Sequence, residues 1–342
     1  MEKALKAITN TDFLAAIFTA IALIVLGFYL RKKNHFSEKS KKTITTILMK
    51  VALPCLAFIG FIIDFNVEIL KDSIWIILFT VICYLVNLFL GRLIFIKKER
   101  ETKSLYSILL TFGQITLFGL PLVKAIYKES GVLVGNMMSI PFRIFVYIYC
   151  FIVVSGAKLE KETIKTTMKN VFLNPIIIAM LGSILLWVLQ PIMPKVTIEE
   201  VQYSIFRFDK TVPWLYKVLS NLANLTMPLS MLLVGVSLGE ADMKSALSNK
   251  TAWIISVFRS VVSPIIMGLL IYLAILIFKL NLSTEVIASI IICFAAPVSA
   301  VVNTFCIHYD KEPTLSSNCC FLSTLLYIVT IPFIIVLVEL IF

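Results

Sequence analysis

Residues 104–127, SLYSILLTFGQITLFGLPLVKAIY, form the stretch whose reading decides the fold. It is apolar along its length, carries one charge at Lys124, and suits a membrane span of about 20 residues. Yet it contains Gly119-Leu120-Pro121. Pro removes a backbone hydrogen bond and clashes with the preceding turn. In lipid such a break persists only where the freed groups face protein, water or a ligand. Residues 286–307, VIASIIICFAAPVSAVVNTFCI, repeat this grammar with Ala295-Ala296-Pro297. The pair predicts two interrupted helices. A half-helix that starts after a break presents unbonded N–H groups and a positive dipole end. Two of these meeting near the midplane make an anion site.

The rest of the chain agrees with a lipid solvent. Of 342 residues 59% are hydrophobic and 15% charged, and the mean hydropathy is +0.97. A soluble globule must cover itself with more polar surface than this. Ten candidate spans follow: Phe13–Leu30, Thr43–Ile63, Ser73–Gly91, Ser104–Tyr127, Gly131–Ala157, Val171–Met193, Val218–Gly239, Thr251–Phe278, Val286–Ile307 and Pro313–Val338. Four of them hold one cation each, Lys50, Lys124, Arg143 and Arg259. The first span is not a cleaved signal, because Arg31, Lys32 and Lys33 follow it rather than precede it. The net charge of +11 sets topology and meets lipid head groups; it does not indicate nucleic acid. With the N-terminus outside, the inner loops (31–42, 97–103, 158–169, 244–250 and Lys311) hold seventeen Lys and Arg against eight outside. Both termini are therefore expected to be extracytoplasmic, in a multi-pass protein of the cell membrane. The longest outer connection, Pro194–Lys217, is amphipathic and is expected on the membrane surface.

Pro54 and Pro228 lie 228 − 54 = 174 residues apart, and Pro121 and Pro297 lie 297 − 121 = 176 apart. Two near-equal offsets, five spans apart, predict a repeat of spans 1–5 as spans 6–10. Five is odd, so the second copy is inverted, an arrangement common in secondary transporters.

The runs ALPCLAF (52–58), GLPL (119–122), MPLSMLLVGVSL (227–238), AAPVSAVVN (295–303) and STLLYIVTIP (323–332) resemble the auxin efflux carrier family, which includes plant PIN-type carriers and bacterial malate and malonate permeases. The resemblance covers nearly the whole chain. It implies an all-α polytopic fold of ten transmembrane helices in two inverted five-helix repeats, 1–157 and 171–342, joined by a cytoplasmic linker at 158–170. Helices 4 and 9 would break at Pro121 and Pro297 and cross at the substrate site. Helices 1, 2, 6 and 7 would form a scaffold against which 3–5 and 8–10 move. The family usually has Asn where this chain has Gln114, the same amide on a longer stem.

A charge at the bilayer centre costs about 2.5–3.5 kcal/mol. Arg143 lies twelve residues into its span, about 18 Å deep at 1.5 Å per residue. A guanidinium there can grip a carboxylate with two parallel bonds. Arg259 and Lys50 are nearer the inner boundary and are expected to snorkel or pack. Lys124 is expected at the outer surface. The residues expected to bind substrate are Gln114, Thr116, Gly119, Pro121, Arg143, Pro297, Ser299 and Asn303. Seven cysteines lie in apolar stretches without metal-ligand spacing and are expected to pack as small hydrophobes. No nucleophile elbow, phosphate loop or paired intramembrane aspartates are present, and His35 and His308 are far apart in sequence. Catalysis, cofactor and metal are therefore not expected. The function expected is alternating-access carriage of a small organic anion such as malate, malonate or an auxin-like acid. A coupling ion (H+ or Na+) and a homodimer stay open, and the competing reading is a non-transporting membrane sensor of the same fold.

Overall fold

A computed structural model describes residues 11–156, 173–240 and 242–341. The expected linker at 158–170 lies outside them. The chain is helical almost throughout: α1 (Thr11–Lys32), α2 (Glu38–Ile59), α3 (Val67–Ile94), α4 (Arg100–Thr111), α5 (Ile115–Ser155), α6 (Pro175–Ile192), α7 (Pro213–Glu240), α8 (Lys250–Phe278), α9 (Thr284–Ala295), α10 (Ala300–His308) and α11 (Pro313–Ile341). Among the described residues seven helical stretches are long and apolar enough to cross a membrane, in α2, α3, α5, α6, α7, α8 and α11. Large apolar side chains such as Phe18, Phe89, Ile277 and Phe333 point outward, as lipid requires and water would not allow. At 41 residues α5 would run about 62 Å straight, twice the hydrocarbon thickness. It bends at Lys128, whose φ of 51° and ψ of −127° are not helical.

The described residues agree with an all-α membrane protein, with one short hairpin added. Residues Lys195–Ile198 (β1) and Val201–Ser204 (β2) pair antiparallel within the connection that was read as an amphipathic surface segment. Glu199 and Glu200 close the hairpin with positive φ of 49° and 67°, the twist a two-residue hairpin turn needs. Arg207 anchors it, paired with Asp209 at 2.7 Å and with Asp64 in the connection that follows α2.

A correction concerns Pro121. The helix does not break there. Pro54, Pro121 and Pro264 each stand second in a regular α-helical segment, and each segment follows a wide π-type turn: Leu48–Ala52, Ile115–Gly119 and Phe258–Val262. The extra residue in the wide turn takes up the missing N–H and the ring clash, so the helix continues through the Pro. The interruption lies earlier, at Phe112–Gln114 between α4 and α5. On the other arm it lies at 296–299, between α9 and α10, and includes Pro297. The offset of 176 thus pairs two prolines in unlike surroundings. We expect Pro121→Ala to leave folding and transport near the parent level. Pro297→Ala lets α9 grow into its break and should cut transport several-fold. Thermal unfolding and transport rates of the two variants, compared side by side, check this.

Candidate functional site

The two interruptions meet. Gln114 N–H donates to Pro297 O at 2.7 Å and Ser299 N–H donates to Phe112 O at 2.9 Å, around an isolated antiparallel bridge of Gly113 and Val298. Each unwound strand therefore satisfies the backbone groups that the other exposes, which lipid could not do. Gln114 works twice: its side-chain carbonyl also accepts the Ala300 N–H at 3.2 Å, capping the first turn of α10. Ser323 on α11 accepts the Val298 N–H at 3.0 Å and steadies the second strand from behind.

Four helix ends converge here. α4 and α9 bring their C-terminal ends, at Thr111 and Ala295. α5 and α10 bring their N-terminal ends, at Ile115 and Ala300. Each end acts as about half an elementary charge, negative at the C-terminal ends and positive at the N-terminal ends. Arg259 answers the negative pair. Of the two roles its sequence position allowed, snorkelling or packing, it takes the second and is fully buried. Its Nε donates to Ala296 O at 2.9 Å, Nη1 to Thr111 O at 2.6 Å, and Nη2 to Phe294 O. Its guanidinium also lies over the Phe294 ring, 5.0 Å from the centroid. Beneath it Tyr84, Phe112, Phe145 and Phe294 form a ring cluster with centroids 4.9–5.9 Å apart. Gly113 makes this possible, since a Cβ there would stand 2.1 Å from Arg259 Nη2 and 2.5 Å from Ala296 O.

The structure thus brings Gln114, Pro297 and Ser299 together, with Thr116 the second residue of α5 and largely buried. The Ser299 hydroxyl is buried and has no hydrogen-bond partner among the described residues. Asn303 lies one turn along α10, where its Oδ1 accepts from Ser316 at 2.6 Å and from Ser317 at 3.3 Å. Gly119 serves packing: a Cβ there would stand 2.9 Å from Cys293 Cα, so α5 and α9 touch at this point. Pro121 lies deeper in α5, away from the interruption. Arg143 is only 3% exposed and stands two residues before Phe145, whose ring packs on Phe112. Lys124 is half-buried and donates to Asn224 at 2.8 Å, so it links α5 to α7 rather than standing at the surface. An open cleft of about 660 Å³ runs along α2 between Lys39, Lys41, Lys42 and Lys50, far in sequence from the crossing and lined from one helix alone.

Sequence reasoning missed Gly113 and the role of Arg259. The signals were there: a glycine in mid-span beside an amide, and a deep cation with no acidic neighbour in its span.

No curated protein matches the chain. A family model described as membrane transport protein matches residues 12–335, a span that takes in both interrupted helices and Arg259. The chain belongs to this family, the auxin efflux carriers, and is a multi-pass membrane protein of a transporter family, not an enzyme family.

Proposed function

We propose that the chain carries a small organic anion, a carboxylate of the malate, malonate or auxin-like kind, by alternating access. One observation carries the reading: two helix N-terminal ends converge on the crossing while Arg259 already neutralises the C-terminal pair. About one positive charge from the N-terminal dipoles is then left uncancelled beside the buried Ser299 hydroxyl. An anion that sheds its water needs fixed donors of this type.

The finer architecture belongs to the same proposal. It has ten spans in two inverted repeats, with both termini outside. Packing supports the repeat: α1 runs parallel to α7, and α2 runs parallel to α6. The first pair touches at Gly27–Leu232 and Gly239–Arg31, the second at Ser183–Ala57 and Trp187–Asp64. A repeat that maps span 1 on span 6 and span 2 on span 7 exchanges these two pairs and maps the crossing on itself. In this reading α1, α2, α6 and α7 are the scaffold, and the helices around the crossing move against it.

The test is thermal unfolding of the purified protein with malate, malonate, indole-3-acetate, and neutral and cationic controls. A ligand at 100 times its dissociation constant stabilises by about 2.7 kcal/mol. A carboxylate that does so should then exchange across proteoliposomes. A cationic preference sinks the anion reading. Arg143 is proposed to add to the site's positive potential. Arg143→Lys keeps the charge without the fork and should weaken binding; Arg143→Gln should weaken it about tenfold or more, a loss of at least about 1.4 kcal/mol. Equal affinity in all three proteins would make Arg143 structural.

A further inference from the structure

Arg259 takes up the oxygens that a coupling metal cation would need. In carriers with broken helices, unwound backbone carbonyls and C-terminal helix ends commonly coordinate Na+. Here three such carbonyls, Thr111, Phe294 and Ala296, come from two C-terminal ends, and all three accept from one guanidinium. The two ends together amount to about one negative charge, which one guanidinium cancels. Ser263 joins the same set, its hydroxyl 3.4 Å from Nη1 and 2.7 Å from Asn87 Nδ2. The seat is built and not incidental. The Phe294 face closes one side, and the absence of a Cβ at Gly113 leaves the room that Nη2 occupies. Arg259 is itself fully buried.

We infer that Arg259 is a resident cation of the crossing, a tethered replacement for a free metal ion, so that this part of the protein binds no Na+. The statement about binding rests on geometry alone. Its consequence, transport that does not draw on a Na+ gradient through the crossing, rests on the carrier reading. A tethered cation also differs from an exchanging one in kind. It keeps the negative ends neutral in every state of the cycle, so the uncancelled positive ends face a substrate anion at all times. Arg259 is a positioning residue in this scheme and does not touch the cargo.

The experiment needs no substrate, so it can fail separately from the carrier reading. The purified parent, Arg259→Met and Arg259→Lys are unfolded thermally in choline chloride and in NaCl at equal ionic strength. For the parent the two midpoints should agree within about 1 °C. Arg259→Met should unfold earlier than the parent in choline chloride. NaCl should restore about 5 °C or more to it, because the emptied carbonyls accept the free ion. Arg259→Lys places an ammonium in the seat and should stay indifferent to Na+. A Na+-specific rise in the parent or in Arg259→Lys overturns the inference. So does an Arg259→Met protein that is as stable as the parent in choline chloride, or one that falls and gains nothing from NaCl. If Arg259→Met does not accumulate as folded protein, the parent and Arg259→Lys decide the matter.

Discussion

Gly113→Ala destabilises the protein by about 3–5 kcal/mol, the size expected when a buried charge loses its partners. The single added carbon cannot coexist with Arg259: it would stand 2.1 Å from Nη2 and 2.6 Å from Cζ, and 2.5 Å from Ala296 O. Contacts of a Cβ below about 3 Å do not occur, so the guanidinium must leave. It then abandons the Thr111, Phe294 and Ala296 carbonyls that it holds while fully buried. Native stability is only about 5–15 kcal/mol in total, so much of it goes with one methyl group. Gly182→Ala is the control. It lies in α6 with open space where a Cβ would stand and should be neutral or slightly stabilising, since Ala is favoured over Gly within a helix by about 1 kcal/mol. Thermal unfolding in detergent measures both. The double variant Gly113→Ala with Arg259→Met should lose less than the sum of the single losses, because the clash with the guanidinium disappears with the side chain and only that with Ala296 O is left. An unaltered midpoint for Gly113→Ala would show that the guanidinium can sit elsewhere at no cost.

Gly235→Leu should separate α1 from α7 and leave little folded protein. A Cβ at Gly235 would lie 1.9 Å from Ile24 O, and one at Gly27 would lie 2.2 Å from Leu232 O. The two backbones are therefore in direct contact. Helix association in lipid depends on such close approach, because lipid tails already solvate apolar side chains as well as a neighbouring helix does. Even Ala must push the helices apart, so Gly235→Ala should lower the unfolding midpoint clearly, and Gly235→Leu should lose most of the folded yield. The ion pairs at the same end, Arg31 with Glu240 at 3.2 Å and Lys41 with Glu240, would be strained as well. Phe18→Ala, on an outward-facing side chain of α1, should change the midpoint little. Size-exclusion yield and thermal unfolding of the four proteins test this. A Gly235→Leu protein with parental yield and midpoint would mean that α1 does not hold to α7 as described.

The legible part of the site was the pairing of two interrupted spans. Pro297 and the amide Gln114 were named from sequence, and both lie in the crossing. Pro121 was misread for a definite reason. Proline reports that a helix must adjust, not how far away it adjusts, and here a wide turn absorbs the defect while the unwinding occurs at Phe112–Gln114. For Arg259 the sequence left snorkelling and packing open, because depth along a span does not say what a side chain meets. Its partners come from α4 and α9, and no local pattern announces them.

The sequence by itself determined the solvent, the helical class and the family. Long apolar runs leave a chain in lipid no alternative to helices that bond their own backbone, and this requirement is local. Tertiary structure alone decided where the helices unwind, which carbonyls Arg259 holds, and that Gly113 must lack a side chain. Each of these depends on groups brought together from distant residues, Thr111 and Arg259 being 148 positions apart. Their energies arise from contact and shared burial, which residue order does not encode until the chain has folded.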